Sequence, residues 1–224
     1  VTARLSSRRL PGKILRPLLG RPMLSYVIER LRSVDRIDEI VIATSTDSSD
    51  DPVADFASVL GVTCWRGELD DVLKRVNGVA MAQNADAVVR ISGDSPLIDP
   101  VIIKTAIDLY LNNDCDLVTN GFPRSFPKGQ SVEILSDEAL ERMNTEANQA
   151  DDREHVTCDA DMHPDKFKIL NFSASRPCAE LQLSVDTQGD SIRVAALIAA
   201  CHGNTDFPTV DSLIELSDLV NASK

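Results

Sequence analysis

The sequence predicts an α/β protein, a mixed but mostly parallel sheet flanked by helices. Three observations predict it: strand-length apolar runs recur, helical patterns separate them, and loops of small or charged residues begin where the runs end. With 224 residues, 43% of them hydrophobic and 26% charged, the chain is long enough for one sizeable core, and we read residues 1–224 as one domain.

A short strand (VTA) opens the chain, followed by a loop reaching Lys13 and a helix in GRPMLSYVIERLRSV, where Pro22 suits a first turn and Leu24, Val27, Ile28 and Leu31 fall at helical spacing. EIVIAT (39–44), VTCW (62–65), DAVVRIS (86–92) and CDLVT (115–119) read as strands. ELDDVLKRVNGVAMAQN and DPVIIKTAIDLYLNN read as helices beginning after strand-end loops. Beyond residue 120 the pattern changes. A loop rich in Pro and Gly (GFPRSFPKGQ), a strand SVEILS, a helix from Asp137 and a polar stretch over 148–166 suggest an inserted lobe over about 121–180. KFKILNF and LQLSV are expected strands, and DSIRVAALIAACH and TVDSLIELSDLVNA closing helices.

The net charge of -12 is unevenly spread. Residues 1–28 hold six Lys or Arg and no acid, leaving 17 basic against 35 acidic side chains in the rest. So acidic a body repels nucleic acid and anionic membrane, while one small anion at one basic loop remains allowed. Five scattered cysteines without CxxC spacing suggest neither a zinc site nor a disulfide framework, and a reduced, cytoplasmic setting is expected.

The basic loop is ARLSSRRLPGK (3–13). Its small residues let backbone amides approach a ligand, and its Arg and Lys side chains suit a polyphosphate; a solvated surface loop is the plainer alternative. It lacks GxxxxGK[ST] and GxGxxG, so neither a Walker loop nor a dinucleotide fold is indicated. Asp94, in RISGDSPLIDP, follows a strand at the carboxyl edge where α/β sheets bind ligands. It suits either Mg²⁺ or the capping of its own turn. Asp186, in LSVDTQGD, ends another apolar run and suits either the same ion or the N-cap of the next helix. DADMHPD (159–165) lacks the Gly and Glu of an EF-hand loop and reads as a solvated turn.

Together ARLSSRRLPGK, RGELDDVLKRV, RISGDSPLIDP, DREHVT and SVDTQGD resemble, in order, the cytidylyltransferases grouped with spore coat polysaccharide biosynthesis protein F, relatives of acylneuraminate and KDO cytidylyltransferases. The resemblance implies a nucleotide-diphospho-sugar transferase fold of the GT-A type. It implies that Arg4, Arg9 and Lys13 bind the phosphates of a nucleoside triphosphate, CTP by expectation, with Ala3, Leu5 and Arg90 beside them. Arg4, Lys13 and Asp94 are then the catalytic candidates, and Asp94 and Asp186 the Mg²⁺ ligands. Thr44 and Asp47, at the second strand end, are expected near ribose and base.

Asn120, Glu133, Arg153 and His155 are expected on the sugar side, Arg153 to grip a carboxylate; a solvated helix start and a structural histidine are the alternatives. The implied reaction moves a nucleotidyl group to an acidic, nonulosonic-type sugar with release of pyrophosphate, for surface polysaccharide, in a homodimer. A sugar 1-phosphate acceptor, or a catalytically silent nucleotide-binding domain, remains open. One departure bears on the sugar: relatives commonly read FPDGLDVEV where this chain has FPKGQSVEI, with Lys128 and Ser131 in place of acids.

Overall fold

A computed structural model describes residues 1–201 and 207–222. After the basic loop comes a small hairpin of β1 (Pro17–Leu18) and β2 (Arg21–Pro22), then α1 (Met23–Arg32). β3 (Val41–Ser45), α2 (Asp51–Leu60), β4 (Thr63–Gly67), α3 (Val72–Gln83), β5 (Ala87–Arg90), α4 (Pro100–Leu111) and β6 (Leu117–Thr119) alternate regularly. β7 (Glu133–Ser136), α5 (Asp137–Glu146), α6 (Ala150–Glu154), α7 (Cys158–Met162), β8 (Ile169–Asn171), α8 (Gln188–Ala200) and α9 (Val210–Ala222) follow.

β3 pairs with β4 in parallel, and β5, β7, β6 and β8 form a second ribbon in that order. Thr2 joins the two, bridging Ala43 on one side and Ser92 on the other, both in parallel. The Thr2 N–H donates to the Ile91 carbonyl at 3.0 Å and the Ala3 N–H to the Ala43 carbonyl at 3.1 Å. Gly93 permits this closeness, since a Cβ there would stand 3.1 Å from the Thr2 carbonyl oxygen. Within the ribbon β7 runs antiparallel to both neighbours, whereas β6 and β8 are parallel. The sheet is therefore mixed but mostly parallel, and the first three residues lie near its centre.

Two apolar clusters hold the helices on. Leu24, Val27, Ile28 and Leu31 of α1 are all buried in the larger one with Ile102, Ile103 and Ala106 of α4. Each such side chain contributes about 1.5–3 kcal/mol when fully buried. The smaller cluster joins Leu73 and Val76 of α3 to Leu140 and Met143 of α5, with Phe167. Thus residues 121–180 give two strands to the main sheet and pack their helices on α3.

Three expectations change. LQLSV is no strand: residues 181–185 face the loop 121–130, where Pro127 and Gly129 interrupt pairing, and only Lys128 and Gln182 form a bridge. The Leu183 and Ser184 N–H groups both donate to the Lys128 carbonyl instead, at 2.7 and 3.0 Å. The polar stretch 148–166 winds into α6 and α7, and Gln149 with Asp152 closes a capping box at the first. The helix expected over 190–202 starts earlier, at Gln188, and His202 lies outside the described residues.

Candidate active site

The basic loop is folded tightly onto the sheet edge. Gly12 has φ +72°, a conformation glycine takes freely, and its N–H donates to the Leu5 carbonyl at 2.9 Å, closing the loop on itself. The Leu5 N–H in turn donates to Oδ1 of Asp50, at 2.7 Å. Asp50 is fully buried, and its other oxygen accepts from the Ser45 hydroxyl, which ties the loop to the end of β3.

That anchoring delivers Lys13 to two carboxylates from distant parts of the chain. Its ammonium donates to Asp94 Oδ2 at 2.6 Å and to Asp186 Oδ1 at 2.9 Å. The Lys13 side chain is only 10% exposed. Arg9 reaches the same Asp186 oxygen at 2.9 Å, and the Ser92 hydroxyl donates to Asp94 Oδ1 at 2.7 Å. The two aspartates are held side by side because the Val185 N–H donates to the Asp94 carbonyl at 2.9 Å. Asp186 is not the cap of α8: Thr187 takes that place, in a capping box with Asp190, so the Asp186 carboxylate is left to face the loop.

These groups line a cleft of about 590 Å³. Of the residues the sequence singles out, Ala3, Arg4, Arg9, Lys13, Arg90, Asp94, His155 and Asp186 line it. Arg4 crosses it to Glu154, Nη2 to Oε1 at 2.8 Å. The others stand apart from the lining. Leu5 contributes its backbone to the Asp50 anchor. Thr44 is buried in β3 with no partner for its hydroxyl, and Asp47 caps a 3₁₀ turn by accepting from the Ser49 N–H at 2.8 Å. Asn120 is fully buried, donating to the Gln130 carbonyl at 2.7 Å and accepting from the Val132 N–H at 2.9 Å. Glu133 is ion-paired with Arg90 and accepts from the Thr157 hydroxyl at 3.1 Å. Arg153 braces α5, donating to Asn144 Oδ1 at 2.9 Å and to the Ala147 carbonyl at 2.7 Å. Ser131, at the departure from the family pattern, accepts from Arg124 at 2.9 Å.

Sequence reasoning gave no role of their own to Arg75 and Glu154, which also line the cleft. Arg75 of α3 is 2% exposed and donates to the carbonyls of Glu68 and Leu69, shaping the wall between β4 and α3; burial pulls its pKa down. Glu154 has its carboxyl held below the usual range, chiefly by the Arg4 hydrogen bond. Glu154 lay inside the quoted DREHVT motif, so that signal was present; Arg75 follows Asp71 by four residues in RGELDDVLKRV, a spacing that reads as an ordinary pair on a helix surface.

A family model described as cytidylyltransferase matches residues 1–201. The spore coat polysaccharide biosynthesis protein SpsF of Bacillus subtilis is 29% identical over 229 residues, spanning 99% of this chain and 92% of that protein. The 8-amino-3,8-dideoxy-manno-octulosonate cytidylyltransferase of Shewanella piezotolerans is 29% identical over 180 residues, 79% of this chain and 64% of that protein. A solved cytidylyltransferase from Leptospira borgpetersenii superposes with a TM-score of 0.93 at 30% identity, covering 99% of this chain and 93% of that one.

Proposed function

The chain belongs to the cytidylyltransferase family, and from that premise we propose that it transfers a cytidylyl group from CTP to a hydroxyl of an acidic, nonulosonic-type sugar, releasing pyrophosphate. One observation carries the reading: Lys13 and Arg9, from one loop, meet Asp94, from the loop after β5, and Asp186, from the turn before α8, in a cleft. Triphosphate and a divalent cation are the ligand pair whose charges match both halves of that arrangement.

The donor set fits Mg²⁺. Among the described residues no three His, Cys, Asp or Glu side chains converge, so the protein offers the two carboxylates of Asp94 and Asp186. Mg²⁺ is commonly bound by one or two carboxylates, with substrate phosphates and water completing its shell. Bound there, the ion would polarise phosphoryl oxygens and neutralise their charge.

The rest of the work falls to side chains of the cleft. The sugar hydroxyl oxygen forms a bond to the α-phosphorus in line with the bond to pyrophosphate, which breaks; no protein nucleophile is needed, only positioning and charge. Arg4, Arg9 and Lys13 hold the phosphates and stabilise charge on the departing pyrophosphate. Arg90, paired with Glu133, and His155 line the cleft toward α6, where the acceptor sugar would sit. The same proposal includes a homodimer and a cytoplasmic setting. All five cysteines are free thiols. Among the described residues no helix is long and apolar enough to cross a membrane.

The test is pyrophosphate release across CTP, UTP, ATP, GTP and dTTP with acidic sugars and sugar phosphates, with and without Mg²⁺. Release with CTP, an acidic sugar and Mg²⁺ together is the expected result. Turnover of a sugar 1-phosphate in preference, or release from no pair, overturns the reading.

A further inference from the structure

Lys13 stands in two places at once in the reading above. It is needed on the phosphates, yet its ammonium lies between the two carboxylates that would hold the metal ion, at 2.6 Å from one and 2.9 Å from the other. Resting on that reading of the metal site, we infer that Lys13 and the divalent cation compete for Asp94 and Asp186, and that the nucleotide decides the competition by drawing the ammonium onto its phosphates. The ion then enters together with the nucleotide and binds poorly by itself.

The physical case is one of charge balance around a nearly buried ammonium. Asp94 and Asp186 face Lys13 and Arg9, two negative charges against two positive, with the Ser92 hydroxyl on Asp94 and the Gln182 amide 3.4 Å from Asp186. A divalent ion arriving alone must push the ammonium aside and leave it without a partner while the side chain is 10% exposed; breaking a buried pair in this way is costly. A triphosphate removes that cost, because its oxygens accept from the displaced ammonium as the metal takes the carboxylates. Lysine suits the exchange. Its charge is a point at the end of a flexible four-carbon stem, so the ammonium moves by rotation of terminal bonds while the backbone stays pinned by Gly12 and the Leu5–Asp50 bond. Linkage makes the effect reciprocal: whatever factor nucleotide adds to metal affinity, metal adds to nucleotide affinity.

Mn²⁺ binding followed by electron paramagnetic resonance tests this without turnover. The unmodified protein is expected to bind Mn²⁺ weakly alone and at least about tenfold more tightly with CTP, the scale of one lost charge-assisted bond. Lys13→Met is expected to bind Mn²⁺ alone about tenfold more tightly than the unmodified protein does, and to lose most of the enhancement by CTP. Mn²⁺ should also raise the melting temperature of Lys13→Met in the absence of CTP; Lys13→Gln replaces it should that variant not fold. Asp94→Asn separates the two ideas. If Asp94→Asn abolishes Mn²⁺ binding but neither Lys13 variant gains any, competition is wrong and the metal site stands. If Mn²⁺ binds Asp94→Asn as well as the unmodified protein, the metal assignment falls and the competition with it.

Discussion

The cleft and the interior beside it treat their charged and polar residues differently. On the loop side Arg9, Lys13, Asp94 and Asp186 spend their charges on one another across the site, in contacts a ligand of matching charge can exchange. Outside the lining Asn120, Glu133 and Arg153 spend theirs on the protein: two backbone groups for Asn120, Arg90 and Thr157 for Glu133, Asn144 and Ala147 for Arg153. The lesson concerns exchangeability. A polar residue saturated by backbone groups in a dry interior holds the fold, whereas one balanced by an opposite charge at an open cleft is available to substrate.

The sharpest way to break that contrast is to substitute one residue from each group. Asp94→Asn is expected to lower kcat for pyrophosphate release about a hundredfold, with a melting temperature close to that of the unmodified protein. Unchanged turnover would remove Asp94 from the chemistry. Asn120→Ala is expected to do the reverse. It strands the Gln130 carbonyl and the Val132 N–H in a fully buried place, a loss of about 1–3 kcal/mol by denaturant titration, while KM for the sugar stays put in the folded fraction. A raised sugar KM with unaltered stability would put Asn120 back among the ligands and erase the distinction.

How much of each region could be read from the sequence follows from the range of the forces involved. Asp94 and Asp186 sit just beyond apolar strand-length runs, and the carboxyl edge of an α/β sheet is where such residues emerge together. The loop could be read for a similar reason, since its cations, its serines and Gly12 occur within eleven consecutive positions. That Lys13 would lie between the aspartates could not, because it depends on Asp50 holding Leu5 from forty-five residues away. Likewise SVEILS reads as a strand by alternation, but nothing local says that it enters antiparallel between β5 and β6. LQLSV has the same apolar look and forms no strand, because the segment it lies along is a loop broken by Pro127 and Gly129. Arg75 is buried by the turn at Glu68 and Leu69 folding back on α3, a tertiary event its helical spacing does not signal.

A smaller effect probes the region around Glu133 through its own titration. Asp161 of α7 has its pKa raised from 3.8 to about 6, first by burial and then by the nearby charge of Glu133, which is itself held by Arg90 and Thr157. A carboxyl with a raised folded pKa binds its proton more tightly when folded than when unfolded. Stability is therefore lost as pH rises from the ordinary value of 3.8 through about 6, and the full penalty is present above that. Asp161→Asn removes the ionisation and is expected to stabilise the protein at neutral pH by on the order of 1 kcal/mol, a figure reduced for partial exposure, with no gain below the ordinary carboxylate range. Chemical denaturation of both proteins at the two pH extremes measures the difference. An equal gain at both would trace the effect to packing; a gain confined to neutral pH traces it to ionisation of a carboxyl that is partly buried and stands near the Glu133 charge.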